Sequence, residues 1–278
     1  MSRRKGFFYR WLTREAVSPD HADYLYGLRK RAISIKFFQI LIIVLLFTTW
    51  ELLSHFGVIN TFLVSQPSKI LSLLVKMTQN GQLLNHIGVT VTENIIGFIS
   101  GTLLGTLIAI ILWWFEYLYD LLEPYIVILN SIPKVALGPV IIVWMGNGPQ
   151  AIIVMALLIS VIVTIMMMIN GFREVEGNLV KLLSTLGASK KQVLFKVILP
   201  ASIPTIFSAL KVSVGLSMVG TIVGEFLVSK AGLGYLIVYG GQVFNLHLVM
   251  MSIILLCLIA GLMYYIIVKL EQLVIKWR

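Results

Sequence analysis

Long apolar runs separated by short polar segments extend along most of the chain. Five of these runs are continuous and cover residues 37–53, 88–113, 150–170, 203–225 and 248–268, and a sixth, 123–145, is interrupted by Pro133 and Pro139. A helix needs about 20 predominantly apolar residues to cross the hydrocarbon core of a bilayer. The pattern therefore predicts an all-α membrane protein with six transmembrane helices.

One polar segment between two of the runs, residues 177–200, has the pattern of two short helices joined at a glycine. Its leucines recur with the spacing of one helix face, and they are Leu179, Leu182, Leu183 and Leu186. Gly187 is the residue type that closes a helix at positive φ. Ser189 and Gln192 have the spacing of a capping box, which predicts a second helix that ends at Pro200. A polar hairpin with an apolar face predicts a contact with a partner outside the membrane.

The composition supports the membrane assignment. Hydrophobic residues make up 58% of the 278 residues and charged residues 12%, whereas soluble domains average about 45–50% apolar and about 25% charged residues. The apolar runs are too long for the strands of a membrane barrel, which span about 10 residues. The single cysteine, Cys257, lies in an apolar run and can form no internal disulfide.

The net charge of +10 is concentrated beside the apolar runs. Three clusters account for most of it: Arg3, Arg4, Lys5, Arg10, Arg14, Arg29, Lys30, Arg31 and Lys36; Arg173, Lys181, Lys190, Lys191 and Lys196; and Lys269, Lys276 and Arg278. Six spans place all three clusters on one side, as the positive-inside rule requires. The charge therefore indicates topology rather than nucleic-acid binding, with both termini in the cytoplasm.

This topology predicts how the chain is divided. Residues 1–35 are expected to form a cytoplasmic or interfacial segment, and residues 36–278 the six-helix transmembrane domain with its cytoplasmic hairpin at 171–202. The first apolar run starts too late and is too long for a cleavable signal peptide. Ser18 followed by Pro19 is typical of a helix start.

Three glycines on the second span predict close helix packing. Gly97, Gly101 and Gly105 repeat every four residues, which leaves one flat face on the helix. The spacing does not specify which helix packs there.

Polar residues in the spans are candidates for a translocation pathway. Pro133 and Pro139 interrupt backbone hydrogen bonding, which membrane helices tolerate beside protein or a water-filled cavity. Lys134 lies in this break, and a lysine at mid-membrane costs about 2.5–3.5 kcal/mol on insertion scales. It either attracts an anionic substrate or extends its amine to the inner interface. Glu225 also has two possible roles: it either lines the pathway or forms a structural contact with another residue.

The sequence contains no motif for catalysis, metal binding or nucleotide binding. The four histidines have no spaced partner for a zinc or di-iron site, and the phosphate-binding Gly-x-x-x-x-Gly-Lys-Ser/Thr is missing. No site for ATP is therefore recognisable in this sequence.

Segment 177–200 resembles the cytoplasmic loop of permease subunits in bacterial ATP-binding-cassette importers. That loop carries Glu-Ala-Ala, three residues, a glycine, nine residues and Ile-x-Leu-Pro. Here Gly187 is followed by nine residues and then by Val197-Ile198-Leu199-Pro200. Lys181-Leu182-Leu183 stands where the family has Glu-Ala-Ala.

The resemblance extends over most of residues 60–240 and is greatest to the branch that imports nitrate, sulfonates, taurine, bicarbonate and some vitamin precursors. The segments that carry it are Gln66-Pro67-Ser68, His86 with Thr90, Gly97-Phe98, Glu123-Pro124, Ile132-Pro133 with Ala136-Leu137 and Pro139, Trp144-Met145-Gly146, Gly224-Glu225 and Gly232-Leu233-Gly234-Tyr235. The family often has arginine where this chain has Glu93.

The resemblance implies a type I ABC importer fold and a permease subunit that is not itself an enzyme. It implies two ATPase subunits that bind ATP and magnesium, since this chain has no nucleotide-binding motif. It also implies a second permease copy (identical or paralogous) and an extracytoplasmic binding protein, in a bacterial or archaeal plasma membrane. The implied docking residues are Lys181, Leu182, Leu183, Leu186, Gly187, Ala188, Leu199 and Pro200. The expected solute is a small, anionic one.

Three other functions remain open. One is import of a thiamine or riboflavin precursor by the same type of permease. A secondary transporter would also consist of apolar helices but would need no docking hairpin. A membrane-embedded enzyme would need a convergent nucleophile, base or metal cluster.

Overall fold

The computed structural model describes residues 16–175 and 177–275. All regular secondary structure in these ranges is helical, which agrees with the predicted all-α class. The α-helices are α1 Pro19–His55, α2 Thr61–Val64, α3 Pro67–Gln79, α4 Gln82–Trp114, α5 Glu116–Ser131, α6 Gly138–Met145, α7 Pro149–Arg173, α8 Gly177–Thr185, α9 Lys190–Val193, α10 Leu199–Ala201, α11 Ile203–Val228, α12 Leu233–Gln242 and α13 Leu246–Val274.

Five helices in the described ranges, α1, α4, α7, α11 and α13, are long and apolar enough to cross a membrane. The remaining predicted span, 123–145, is not a single helix, because α5 and the segment Lys134–Met145 meet at an angle of 86°. The bend lies at Pro133, where Ile132 takes the extended conformation favoured before proline. Pro139 lies in the first turn of α6 and does not interrupt a helix there. Counting this bent pair as one span gives six.

The chain divides into two compact units with a boundary after Lys69. In the first unit, Ser18 caps α1 by accepting a hydrogen bond from the backbone N–H of His21, so the predicted helix start is confirmed. The carboxylate of Glu51 accepts hydrogen bonds from Gln66 Nε2 at 2.6 Å and from Ser68 N at 3.0 Å. These bonds hold the polar link after α2 against the end of α1. Residues 1–15 of the predicted interfacial segment lie outside the described residues, and α1 is continuous through position 35.

The second unit is built around α7, which packs against α4 on one side and α11 on the other. The contact with α4 lies along the predicted glycine face, where Gly97, Gly101 and Gly105 meet Ala156, Ser160 and Thr164 respectively. A Cβ atom at Gly97 would lie 2.5 Å from the Cβ of Ala156. The two backbones can therefore approach this closely only because the side chain is missing.

The contact of α7 with α11 also depends on glycines, which in this case lie on α11. Gly220 faces Ala156 and Gly224 faces Ile152. A buried hydrogen bond of 2.7 Å joins the hydroxyls of Thr164 and Ser213 across this interface. Small residues and hydroxyl pairs are the usual means of holding membrane helices together, since lipid provides no hydrophobic drive between them.

Candidate coupling hairpin and buried polar cluster

The hairpin between α7 and α11 presents a stripe of exposed leucines. Leu179 and Leu182 on α8 and Leu186 in the turn directly after it have 44, 56 and 74% of their surface exposed, and Lys181 is also exposed. Leu183 turns inward and packs on the core. The four predicted leucines therefore divide, with one anchoring the helix and three forming an apolar surface.

A glycine turn closes α8. Gly187 has φ +78°, and the backbone N–H of Ala188 donates to the carbonyl of Leu183 at 3.0 Å while that of Gly187 donates to Ser184 at 3.1 Å. This is the hydrogen-bond pattern of a glycine-terminated helix. The predicted turn is confirmed, and Ala188 packs half-buried on the core below it.

The second arm of the hairpin begins as predicted and ends one residue after the predicted position. Ser189 and Gln192 form a complete capping box at the start of α9. The helical path then continues through a π-helical turn, Leu194–Ile198, and through α10, which ends at Ala201, directly after Pro200. The chain turns at Ser202, whose hydroxyl donates to the carbonyl of Gly171 at 3.1 Å.

The hairpin is fixed to the ends of the neighbouring helices. Val193, Leu194 and Ile198 are buried in the cluster that also holds Phe172 of α7, and Leu199 packs against its edge. The amine of Lys190 donates to the carbonyl of Trp114, at the end of α4, at 2.6 Å. The hairpin is therefore in direct contact with the ends of α4 and α7.

Lys134 has partners within the bent segment. Its amine donates to the carbonyl of Asn130 at 2.9 Å and contacts the Asn130 side-chain oxygen at 3.4 Å. The ammonium thus lies at the carboxyl end of α5, where carbonyl groups without helical partners favour a cation. Pro133 and Pro139 are exposed and Lys134 is half-buried.

Glu225 is 1% exposed and caps a different helix. Its carboxylate accepts hydrogen bonds from Thr90 Oγ1 at 2.6 Å and from Gly234 N at 2.5 Å. Thr90 Oγ1 in turn accepts from Leu233 N at 2.8 Å, and His86 Nδ1 accepts from Gly232 N at 3.0 Å. Three side chains from α4 and α11 thereby satisfy the first N–H groups of α12, which would otherwise be unpaired.

This capping cluster, defined as His86, Thr90, Glu225 and the Gly232–Gly234 backbone, was not predicted as a unit. Gly232 has φ +112°, and a Cβ there would collide with the Glu225 carboxylate. Glu225, Gly232 and Gly234 stand out in the sequence, but nothing in the sequence shows that they contact His86 and Thr90.

Two more polar residues lie beside this cluster on α4. Glu93 is 4% exposed, and its carboxyl group lies close to that of Glu225. Asn94 is buried and its amide donates to Thr221 Oγ1 at 3.2 Å. The interface between α4 and α11 therefore contains buried polar side chains within an otherwise apolar helix bundle.

Residues 16–175 and 177–275 contain no group of three histidine, cysteine or acidic side chains able to hold a metal ion.

Comparison with known proteins agrees with this arrangement. Residues 101–274 match the family described as binding-protein-dependent transport system inner membrane component. The chain belongs to this family. It is a permease subunit of an ATP-driven importer, as its resemblance to that family predicts, and hence a multi-pass protein of the plasma membrane that works with ATPase and binding-protein partners.

Several named permeases are similar to this permease over most of its length. A putative aliphatic sulfonates transport permease protein, SsuC of Bacillus subtilis, is 27% identical over 82% of this chain and 83% of the relative. The riboflavin transport system permease protein RibX of Chloroflexus aurantiacus is 25% identical over 85% of this chain and 88% of the relative.

The fold is also that of a solved importer. An inward-facing structure of the MetNI methionine ABC transporter superposes with a TM-score of 0.63 at 21% sequence identity, covering 69% of this chain and 96% of that one. This likeness supports the type I importer fold of the permease.

Proposed function

We propose that the leucine stripe of α8 is the surface on which an ATPase subunit docks. The observation that carries the proposal is that Leu179, Leu182 and Leu186 are exposed on α8 and the turn after it, while Leu183 anchors this helix to the core. Apolar side chains of this size are normally buried, and an exposed row of them is typical of an interaction site. Lys181 beside the stripe supports a partner groove with an acidic group. The shape of the hairpin that carries this surface is set by Gly187, Ala188, Leu199 and Pro200.

The assembly we propose has two permease copies, identical or paralogous, two ATPase subunits and one extracytoplasmic binding protein. ATP and magnesium are bound by the ATPase chains, and closure of the ATPases moves the two hairpins. The links from the hairpin to Trp114 and Phe172 support transmission of that movement into α4 and α7.

We place the hairpin and both termini in the cytoplasm. Lys181, Lys190, Lys191 and Lys196 make the hairpin basic, which supports this orientation. Residues 1–35 then form the cytoplasmic or interfacial segment, 36–278 the permease domain and 171–202 its cytoplasmic hairpin.

The proposed solute is a small anion, with a sulfonate as first candidate. The similarity to the SsuC proteins of Bacillus subtilis and Escherichia coli supports this class. The proposed pathway passes the break at Pro133 and Pro139, where Lys134 supplies positive charge. The second candidate is a vitamin or vitamin precursor, supported by similarity to RibX and to the formylaminopyrimidine permease ThiX of Halalkalibacterium halodurans.

The docking proposal is tested by purifying the tagged permease in mild detergent with its ATPase. Leu186→Asp places a charge in the apolar stripe and should remove the ATPase from the purified complex. Ser184→Asp adds the same charge to the same helix outside the stripe and serves as the control. Equal recovery of ATPase with both variants would exclude the stripe as the docking surface.

Deletion of the ATPase gene tests the energy source. Loss of uptake is expected for an ATP-driven importer. Uptake that persists and follows an ion gradient would instead identify a secondary transporter.

A further inference from the structure

Two carboxyl groups lie close together inside the bundle, where α4 contacts α11. Glu93 on α4 is 4% exposed and Glu225 on α11 is 1% exposed. Glu225 Oε1 accepts a hydrogen bond from Thr90, which lies one turn before Glu93 on α4. The helix contact therefore holds the two glutamates beside each other, and we call them the carboxyl pair.

The carboxyl pair has no positively charged partner. Neither glutamate forms an ion pair with a lysine or arginine among the described residues. Ile152, in the first turn of α7, packs on Gly224, whereas the basic residue of that helix, Arg173, is its last. On α11, Lys211 is paired instead with Glu271 at 2.5 Å.

The other titratable groups around the carboxyl pair supply no charge to neutralise it. His86 Nδ1 accepts a hydrogen bond from the backbone N–H of Gly232 at 3.0 Å, so this nitrogen carries no proton and the ring is neutral. Tyr235 and Tyr239 are the titratable residues of α12, and a phenol is uncharged at neutral pH. Lys230, in the segment after α11, is exposed, so water solvates its charge.

These surroundings favour a single negative charge on the carboxyl pair. Two ionised carboxylates side by side would repel each other, and burial in an apolar bundle disfavours each charge. One bound proton reduces the charge of the pair and supplies a hydrogen-bond donor between the two groups.

Glu93 is the member of the pair that is suited to hold this proton. Both oxygens of Glu225 already accept hydrogen bonds, from Thr90 and from the backbone N–H of Gly234. Glu93 Oε2, by contrast, is buried without a hydrogen-bond partner among the described residues. An unpartnered buried oxygen costs less on a neutral acid than on a carboxylate, because removing a charge from water costs more than removing a dipole.

We propose that the carboxyl pair binds one proton, which Glu93 carries at neutral pH and shares with Glu225. The protonated Glu93 donates to the carboxylate that caps α12, so the proton links α4, α11 and α12 at one point. Release of the proton at alkaline pH places two negative charges at this contact and loosens the start of α12. The contact of the three helices is thereby sensitive to pH.

Infrared spectroscopy of the full-length permease in nanodiscs tests the proposal, because a protonated carboxyl group has a C=O stretch apart from the bands of carboxylates and peptide groups. At neutral pH wild type should show this band and lose it on alkaline titration, and Glu93→Gln should lack it. Asp120→Asn changes an exposed carboxylate on α5 and should leave the band unchanged. Wild type without the band at neutral pH would overturn the proposal even if Glu93→Gln fails to fold, and so would a band that Glu93→Gln retains in full.

Thermal unfolding over the same titration measures the consequence for the helix contact. The folded permease holds a proton that the unfolded chain releases at neutral pH, so stability should fall as pH rises, by up to about tenfold in the unfolding equilibrium per pH unit. This decrease should end at the pH at which the infrared band is lost. Glu93→Gln keeps the side-chain shape and a donor but does not titrate, so it should lose less stability; an equal decrease in the two proteins would overturn the proposal.

Discussion

The carboxylate of Glu225, near the end of α11, accepts a hydrogen bond of 2.5 Å from the backbone N–H of Gly234, in the first turn of α12. The same carboxylate receives the Thr90 hydroxyl at 2.6 Å. A glutamate in an apolar bundle is expensive unless its oxygens are paired, and here each oxygen has a donor. Glu225 thus fixes the start of α12 to α4, which supports the structural interpretation of this residue.

Glu225→Ala should destabilise the permease by about 1–3 kcal/mol, because it leaves the buried Gly234 N–H and Thr90 hydroxyl without an acceptor. Glu225→Gln retains one acceptor oxygen and should fall between the alanine variant and wild type. Thermal unfolding of the purified protein in detergent measures the order. An alanine variant as stable as wild type would contradict the capping role.

The glycine face of α4 makes a separate prediction. Gly97→Ala places a Cβ 2.5 Å from that of Ala156, so the helices must separate, and overpacking of this kind costs about 1–3 kcal/mol. Gly88→Ala lies on the same helix, and a Cβ there meets no atom of the described residues within 4 Å. The Gly88 variant should be neutral or slightly stabilising, and a comparison of the two unfolding temperatures isolates the contact.

The hairpin was predictable because its determinants are local. The positive φ of Gly187 and the capping box of Ser189 and Gln192 each depend on residues within one or two turns. Pro133 likewise marks the position of the break in the bent segment. The angle of 86° was not predictable, because it depends on how α5 and α6 pack elsewhere.

The capping cluster was not predictable, because its contacts join residues that are far apart in the sequence. Thr90 and Glu225 are 135 positions apart, and His86 and Gly232 are 146 apart. Only the packing of α4 against α11 brings them together. The sequence shows a costly glutamate that needs a partner, but it does not show which of the polar residues on the other spans supplies it.

Gly187 is the position at which the hairpin should be most sensitive to backbone change. A β-branched residue at φ +78° is strained, and space is not the limit, since a Cβ there meets no described atom within 4 Å. Gly187→Val should uncouple ATP hydrolysis from solute uptake in proteoliposomes, whereas Gly187→Asn should retain most uptake because asparagine tolerates this conformation. Equal uptake by the two variants would show that the turn does not depend on positive φ.

The link between Lys190 and Trp114 should contribute to coupling. Lys190→Met removes the donor to the last carbonyl of α4 but preserves the aliphatic stem, so the expected loss of stability is small, about 1 kcal/mol. Uptake per ATP hydrolysed should fall more than stability does. Lys191→Met changes the adjacent exposed lysine and should leave this ratio unchanged; a similar decrease in both variants would indicate a general effect of hairpin charge.

Lys181 tests whether charge contributes to docking at all. It is exposed beside the leucine stripe, where the resembling family has an acidic residue, so we predict a complementary acidic group in the ATPase groove. Lys181→Glu should then weaken ATPase retention, and the loss should grow at low salt, where repulsion between like charges is least screened. Lys181→Met keeps the stem without the charge and should cause a smaller loss. If Lys181→Glu retains ATPase as wild type does at low salt while Leu186→Asp does not, docking depends on the apolar stripe alone, and the lysine serves only to keep the hairpin on the basic side of the membrane.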